Sequence, residues 1–211
     1  MASTVGSRLA YDKAKEAINR AGFSLGQAVL SQSYLRLETT LQTSKTLYQF
    51  PILQNDNSNG AQFKTEQRLK LQDAFYCSSY AIFFTKNVAV DAGAYKLYTY
   101  PDPTDLTNAA DLYSFYNGYM SLTVNNRQIV PAIDLLRNEW VGQTQTSATT
   151  INQFDGSSSA FYPIEPGWVL VGSKNNSLQI NIPSALTAVM ENQRAVLVFR
   201  GHLGQNITPV R

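Results

Sequence analysis

The chain has little of what performs chemistry: one histidine and one cysteine among 211 residues. A single cysteine, Cys77, excludes an internal disulfide framework and a cysteine-based zinc site. Its surroundings, DAFYCSSYAIFF, read as a strand in which Cys77 is a small buried hydrophobe. His202, in RGHLGQN, reads as a loop residue between two glycines. Metal binding needs His, Cys, Asp or Glu clustered at ligand spacing, and the sequence has no such cluster. Asp102, Asp105 and Asp111 in PDPTDLTNAAD lack both the alternate oxygen positions and the closing glutamate of a calcium loop, so they read as a solvated loop. There is no nucleophile elbow, no Ser-x-x-Lys and no glycine-rich phosphate loop. Paired carboxylates would have to come from acids distant in sequence, and Glu66, Asp73, Glu139 and Glu165 are equally eligible. The expectation is a non-enzymatic protein with no cofactor, no metal and no small-molecule substrate.

Charge is scarce as well. Asp, Glu, Lys and Arg make up 15% of the chain, against roughly 25% in a typical soluble domain. Asn, Gln, Ser and Thr take their place with 66 residues. Such a surface is hydrated but weakly charged, and a net charge of +2 does little to hold copies apart. The basic pI near 8.6 rests on those two charges alone. Arg8, Lys13, Lys15 and Arg20 stand against Asp12 and Glu16, and no Lys/Arg run exists. Counterion release from so few cations is small, so direct nucleic-acid binding is expected to be weak or absent. No stretch approaches the ~18 apolar residues of a membrane span, and MASTVGSRLAYDK lacks a signal-peptide core. No membrane contact and no classical export are expected, and the sequons at Asn175 and Asn206 read as chance matches.

What is present is pattern. In residues 8–31, Leu9, Ala14, Ala17, Ile18, Ala21, Leu25, Ala28 and Val29 recur at three- and four-residue steps, which predicts an amphipathic helix weakened at Gly22 and Gly26. Residues 1–32 are therefore expected to form an N-terminal arm that docks on its own domain or a neighbour. Leu9, Ile18, Leu25 and Val29 are its candidate assembly residues.

From residue 33 the period becomes two. Leu35, Leu37, Thr39 and Leu41 alternate with Arg36, Glu38, Thr40 and Gln42. Further strands are expected at 46–53, with Pro51 marking an edge or bulge, and at 73–85, 94–101, 119–124 and 127–131. The C-terminal third adds GWVLVG, SLQINIP and RAVLVFRG. Asn125-Asn126 is suited to a tight hairpin because asparagine tolerates positive φ. Lys174-Asn175-Asn176 is expected to close a second hairpin. Residues 54–62 and 144–160 read as polar loops. About nine strands and no βαβ alternation predict a mainly β fold, a single jelly-roll-like β-sandwich over 33–211.

Aromatic residues crowd into one stretch: Tyr95, Tyr98, Tyr100, Tyr113, Phe115, Tyr116 and Tyr119. Core filling and protein contact explain such a run, and so does a stacking platform for sugars. Tyr98, Tyr100, Tyr116, Tyr119 and Arg127 are the candidate interface residues. In FYNGYMSLTVNNRQIVP, Tyr119, Leu122 or Val124 would face the core, and a tyrosine-and-amide face would meet a neighbour.

The segments TEQRLKLQDAFYCSSYAIFF, FYNGYMSLTVNNRQIVPAIDLL and IEPGWVLVGSKNNSLQINIP resemble jelly-roll capsid or capsid-associated proteins of bacteriophages. The likeness spans about residues 33–201 and consists of diffuse patterns. It implies a structural protein of the virion, assembled in the host cytoplasm as a homo-oligomer of many copies alongside other virion proteins. A decorating or head–tail connecting protein fits the same resemblance. A carbohydrate- or receptor-binding β-sandwich is the reading from another class.

Overall fold

The computed structural model describes residues 2–26, 28–56, 58, 60–85, 97–100, 109–140, 158–187, 190 and 193–209. Tyr95, Asp102, Asp105, most of the expected loop at 144–160 and part of the expected strand at 94–101 lie outside them.

The first helix, α1 (Ala2–Arg20), stops well short of its predicted end at residue 31. Gly22 supplies the stop: its φ of +88° is the left-handed conformation that terminates helices, and its N–H donates to the Asn19 carbonyl at 3.0 Å. Phe23–Ser24 then forms a short strand, β1, paired with β11 (Thr208–Pro209). The apolar periodicity through Leu25, Ala28 and Val29 misled because Leu25 and Ala28 pack on the same cluster as the helix without being helical.

The main strands are β2 (Val29–Thr40), β3 (Leu47–Phe50), β4 (Ala74–Thr85), β6 (Tyr119–Val124), β7 (Arg127–Asp134), β8 (Tyr162–Val171), β9 (Asn176–Asn181) and β10 (Arg194–Gln205). A two-residue β5 (Leu97–Tyr98) and a helix α2 (Ala109–Tyr116) lie between β4 and β6. Pairing runs from the outside inwards: β2 with β10, β3 with β9, β4 with β8, β6 with β7, all antiparallel. Successive pairs fall alternately in two sheets, giving β2-β10-β4-β8 and β3-β9-β6-β7, with β5 beside the end of β4. A long antiparallel ribbon rolled so that its pairs alternate between two facing sheets is a jelly roll. The expected sandwich is present.

One expected hairpin is not. β8 pairs with β4 and β9 with β3 and β6, so Lys174-Asn175-Asn176 carries the chain from one sheet to the other. The Asn125-Asn126 hairpin does form, with φ of 53° and 60° and β6 paired to β7.

The sheets differ in how they are covered. The central strands β4 and β10 of the five-stranded sheet are largely buried on both sides, which is why AFYC, YAIFF and AVLVF read as apolar runs. Its inner side, through Leu35, Leu37, Phe75, Cys77, Ile82, Phe84, Leu197 and Phe199, meets Tyr48, Phe50, Met120, Leu122, Leu178 and Ile180 of the other sheet. At one end of its outer side, Ala14 and Ile18 of α1 pack with Ala74, Tyr76 and Val171. At the other end, Trp140 and Phe161 pack with Ala81, Phe83 and Val196. Each large side chain so buried contributes about 1.5–3 kcal/mol. The four-stranded sheet is buried on its inner side only.

Candidate functional site

The uncovered side of the four-stranded sheet is built by register. Leu47 of β3, Asn181 of β9, Tyr119 of β6 and Asp134 of β7 form one cross-strand row. Gln49, Gln179 and Ser121 form the next, and Ser177, Thr123 and Gln128 the third. Strand alternation sends Tyr48, Phe50, Ile180, Leu178, Met120 and Leu122 inwards, leaving this amide-and-hydroxyl face outwards. Tyr119 is 45% exposed and Leu47 is 41% exposed. Asp134 is the one charge in these rows, and it accepts a hydrogen bond from the Arg137 guanidinium, which holds its carboxyl below the usual range. At the hairpin tip, the Asn125 N–H donates to the Asn175 carbonyl at 2.7 Å. Arg127 follows, exposed.

Of the candidate interface residues, Tyr119 and Arg127 are on the surface, and the other three are corrected. Tyr98, Tyr100 and Tyr116 are buried. The Tyr98 hydroxyl donates to Gln193 Oε1 at 2.5 Å, and that of Tyr116 to the Thr99 carbonyl at 2.5 Å. Tyr116 also sets its ring edge-on against Phe84. Tyr98 and Tyr116 fill the core and satisfy their own polar ends, whereas the buried Tyr100 hydroxyl has no hydrogen-bond partner among the described residues. Tyr119 was also expected to be a core residue; the inward side belongs instead to Met120 and Leu122, with Val124 partly buried beside them.

The arm residues divide in the same way. Ile18 is buried and Leu25 half-buried in the docking of α1 on its own sheet, so neither is available to a neighbour. Leu9 and Val29 are exposed, and Val29 already belongs to β2, inside the segment expected as arm.

A second constellation escaped the sequence reading. Glu38 was placed on the polar side of its strand, yet its side chain is fully buried. Its carboxylate accepts from Arg36 Nε at 2.8 Å, Thr65 Oγ1 at 2.5 Å and Arg194 at 3.2 Å. Glu66 beside it accepts from two nitrogens of Arg68, at 3.1 and 2.8 Å, and from the backbone N–H groups of Glu38 and Phe63. Arg194 also lies over the Phe63 ring, 3.8 Å from its centre. Every carboxylate oxygen here has a cationic or N–H partner, so the cluster fastens residues 63–68 onto β2 and β10. Charges scattered over 150 residues give no sequence signal for such a meeting.

Asp111 is also corrected. It lies in α2, buried, and accepts from the N–H and hydroxyl of Thr187 at 2.9 and 2.8 Å. His202 is on β10 and not in a loop, with burial lowering its pKa and no hydrogen-bond partner for Nδ1 among the described residues. Cys77 is buried as expected, and burial pushes its thiol well up.

Among the described residues no cluster of three metal-ligating side chains occurs, and no helix is long and apolar enough to cross a membrane. Comparison with protein-family models, curated proteins and solved structures returned no match.

Proposed function

We propose that the protein is a structural subunit of a virus particle, a bacteriophage capsid protein that assembles with copies of itself and has no catalytic activity. The observation that carries this reading is the uncovered face of the four-stranded sheet. It is nearly free of charge and rich in amides, with Tyr119 and Leu47 exposed on it. Amide and hydroxyl groups bond equally well to water and to a neighbouring chain, and no repulsive field opposes approach. Many contacts of modest area then sum to a stable shell. The fold alone does not supply this conclusion, since jelly rolls serve many functions. A decorating or connecting role on the particle would use the same face.

Light scattering of purified protein over a concentration series, followed by negative-stain microscopy, tests the proposal. Rings, sheets or shells are expected, with assembly that changes little between low and high salt because few charges are screened. A monomer at every concentration, salt and pH would sink it.

Exposed Tyr119 among Gln179, Ser121 and Asn181 also suits stacking of a sugar. Specific binding on a glycan array, lost on Tyr119→Ala, would favour that second reading.

A further inference from the structure

β2 lies at the edge of the five-stranded sheet, with β10 along one side. The direction of its backbone groups follows from Arg36. The Arg36 N–H donates to the Gln67 carbonyl, and the Gln67 N–H to the Arg36 carbonyl, both at 2.9 Å and both on the side away from β10. Residues of an antiparallel strand alternate between facing the partner and facing away. Leu30, Gln32 and Tyr34 therefore face outwards together with Arg36 and Glu38. The molecule closes one end of this outer row itself: Glu66 takes the N–H of Glu38, and Gln67 takes both groups of Arg36. Among the described residues, nothing bonds to the outward groups of Leu30, Gln32 and Tyr34.

Open edges are normally blunted by proline, charge or brevity. β7 carries Pro131, β8 carries Pro163 and Pro166, and β3 has four residues and runs into Pro51. The segment VLSQSYL, residues 29–35, has no proline and no charge. Val29 and Tyr34 within it are 63% and 51% exposed.

We infer that this edge pairs with the same edge of a second copy, antiparallel, about a two-fold axis through Gln32. The inference rests on the self-assembly reading above and names the contact. The register sets Gln32 opposite Gln32, and Leu30 of one copy opposite Tyr34 of the other. Each of these pairs exchanges two main-chain hydrogen bonds. The aliphatic–aromatic pairing is favourable, and no like charges meet. Arg36, just outside the segment, is engaged by Glu38 within its own copy. A second copy supplies a strand that matches in length and lack of charge, and one symmetric contact closes both open edges. Two five-stranded sheets become one continuous sheet. So short an edge buries well under the ~1,200 Å² of a stand-alone pair, so the contact is concentration-dependent and acts as one of several in an assembly.

A cysteine trap tests the register. Paired residues of this type have Cα atoms about 5.5 Å apart, within disulfide range. The single native thiol, Cys77, is buried and does not compete. Mild oxidation of Gln32→Cys at high protein concentration is expected to give disulfide-linked dimers. Lys15→Cys, exposed on α1 and on neither proposed contact, controls for random collision. Gln32→Pro removes an outward N–H without touching the bonds to β10, and is expected to weaken association at least tenfold by sedimentation with the melting transition preserved. If Gln32→Pro does not fold, the cysteine trap decides alone. Wild-type protein that assembles while Gln32→Cys cross-links no faster than Lys15→Cys overturns the β2 contact and leaves self-assembly standing. Wild-type protein that stays monomeric throughout overturns both.

Discussion

The backbone N–H of Glu38 donates to Oε1 of Glu66 at 2.9 Å, so one buried acid caps the strand that carries another. Two acids lie together without repulsion because Arg36, Arg68 and Arg194 surround them. Glu66→Ala would strand the buried Arg68 guanidinium and leave two N–H groups without an acceptor. Removing one partner of a buried ion pair costs about 3–5 kcal/mol. Urea denaturation is expected to show a loss of that size for Glu66→Ala and a smaller one for Glu66→Gln, which keeps an acceptor.

Among the described side chains of α1, Ala14 and Ile18 are the ones buried, packed on Ala74, Tyr76 and Val171. Ile18→Asp would place a charge in that seam and release the helix. Hydrogen exchange should then quicken across Ala2–Arg20 while β4 and β10 stay protected. Uniform loss of protection would show instead that the helix is integral to the sandwich.

His202 is the one histidine of the chain, and burial lowers its pKa below the ordinary 6.5. The unfolded chain therefore binds a proton that the folded protein resists, and stability must fall as pH falls. The contribution is complete above about pH 6.5 and declines as pH drops towards the folded-state pKa. Denaturation midpoints at pH 7 and pH 5.5 should differ in the wild type and converge in His202→Gln. The depressed carboxyls of Asp56 and Asp134 act in a lower window, below their ordinary 3.8.

The Asn125-Asn126 turn holds both residues at positive φ. Asn126→Gly should be neutral or stabilising by a few tenths of a kcal/mol, because glycine suits this turn. Asn126→Val should cost about 1–2 kcal/mol, the penalty of a left-handed conformation for a residue with a Cβ. Thermal melts of the two variants check the order.

Much of the architecture was readable from residue pattern. Alternation located β2, β3 and β6, the apolar run located β4, and two adjacent asparagines located the β6–β7 turn. The scarcity of His, Cys and charge was equally plain. The sequence could say which residues share a side of a strand, because a strand repeats every two residues. It could not say what covers that side, since the cover comes from segments far away in the chain. Glu38 and Leu30 stand on the same side of β2, yet arginines bury the first and α1 half-covers the second. Tyr98 and Tyr119 look alike in sequence, but one is sealed against Phe84 and the other faces solvent. Tertiary structure alone decided that β8 and β9 part into different sheets, and that, among the described residues, one side of the sandwich and half of one strand edge have no cover. Those choices depend on which strands meet across the roll, and hydrogen bonding between distant segments leaves no mark on local periodicity.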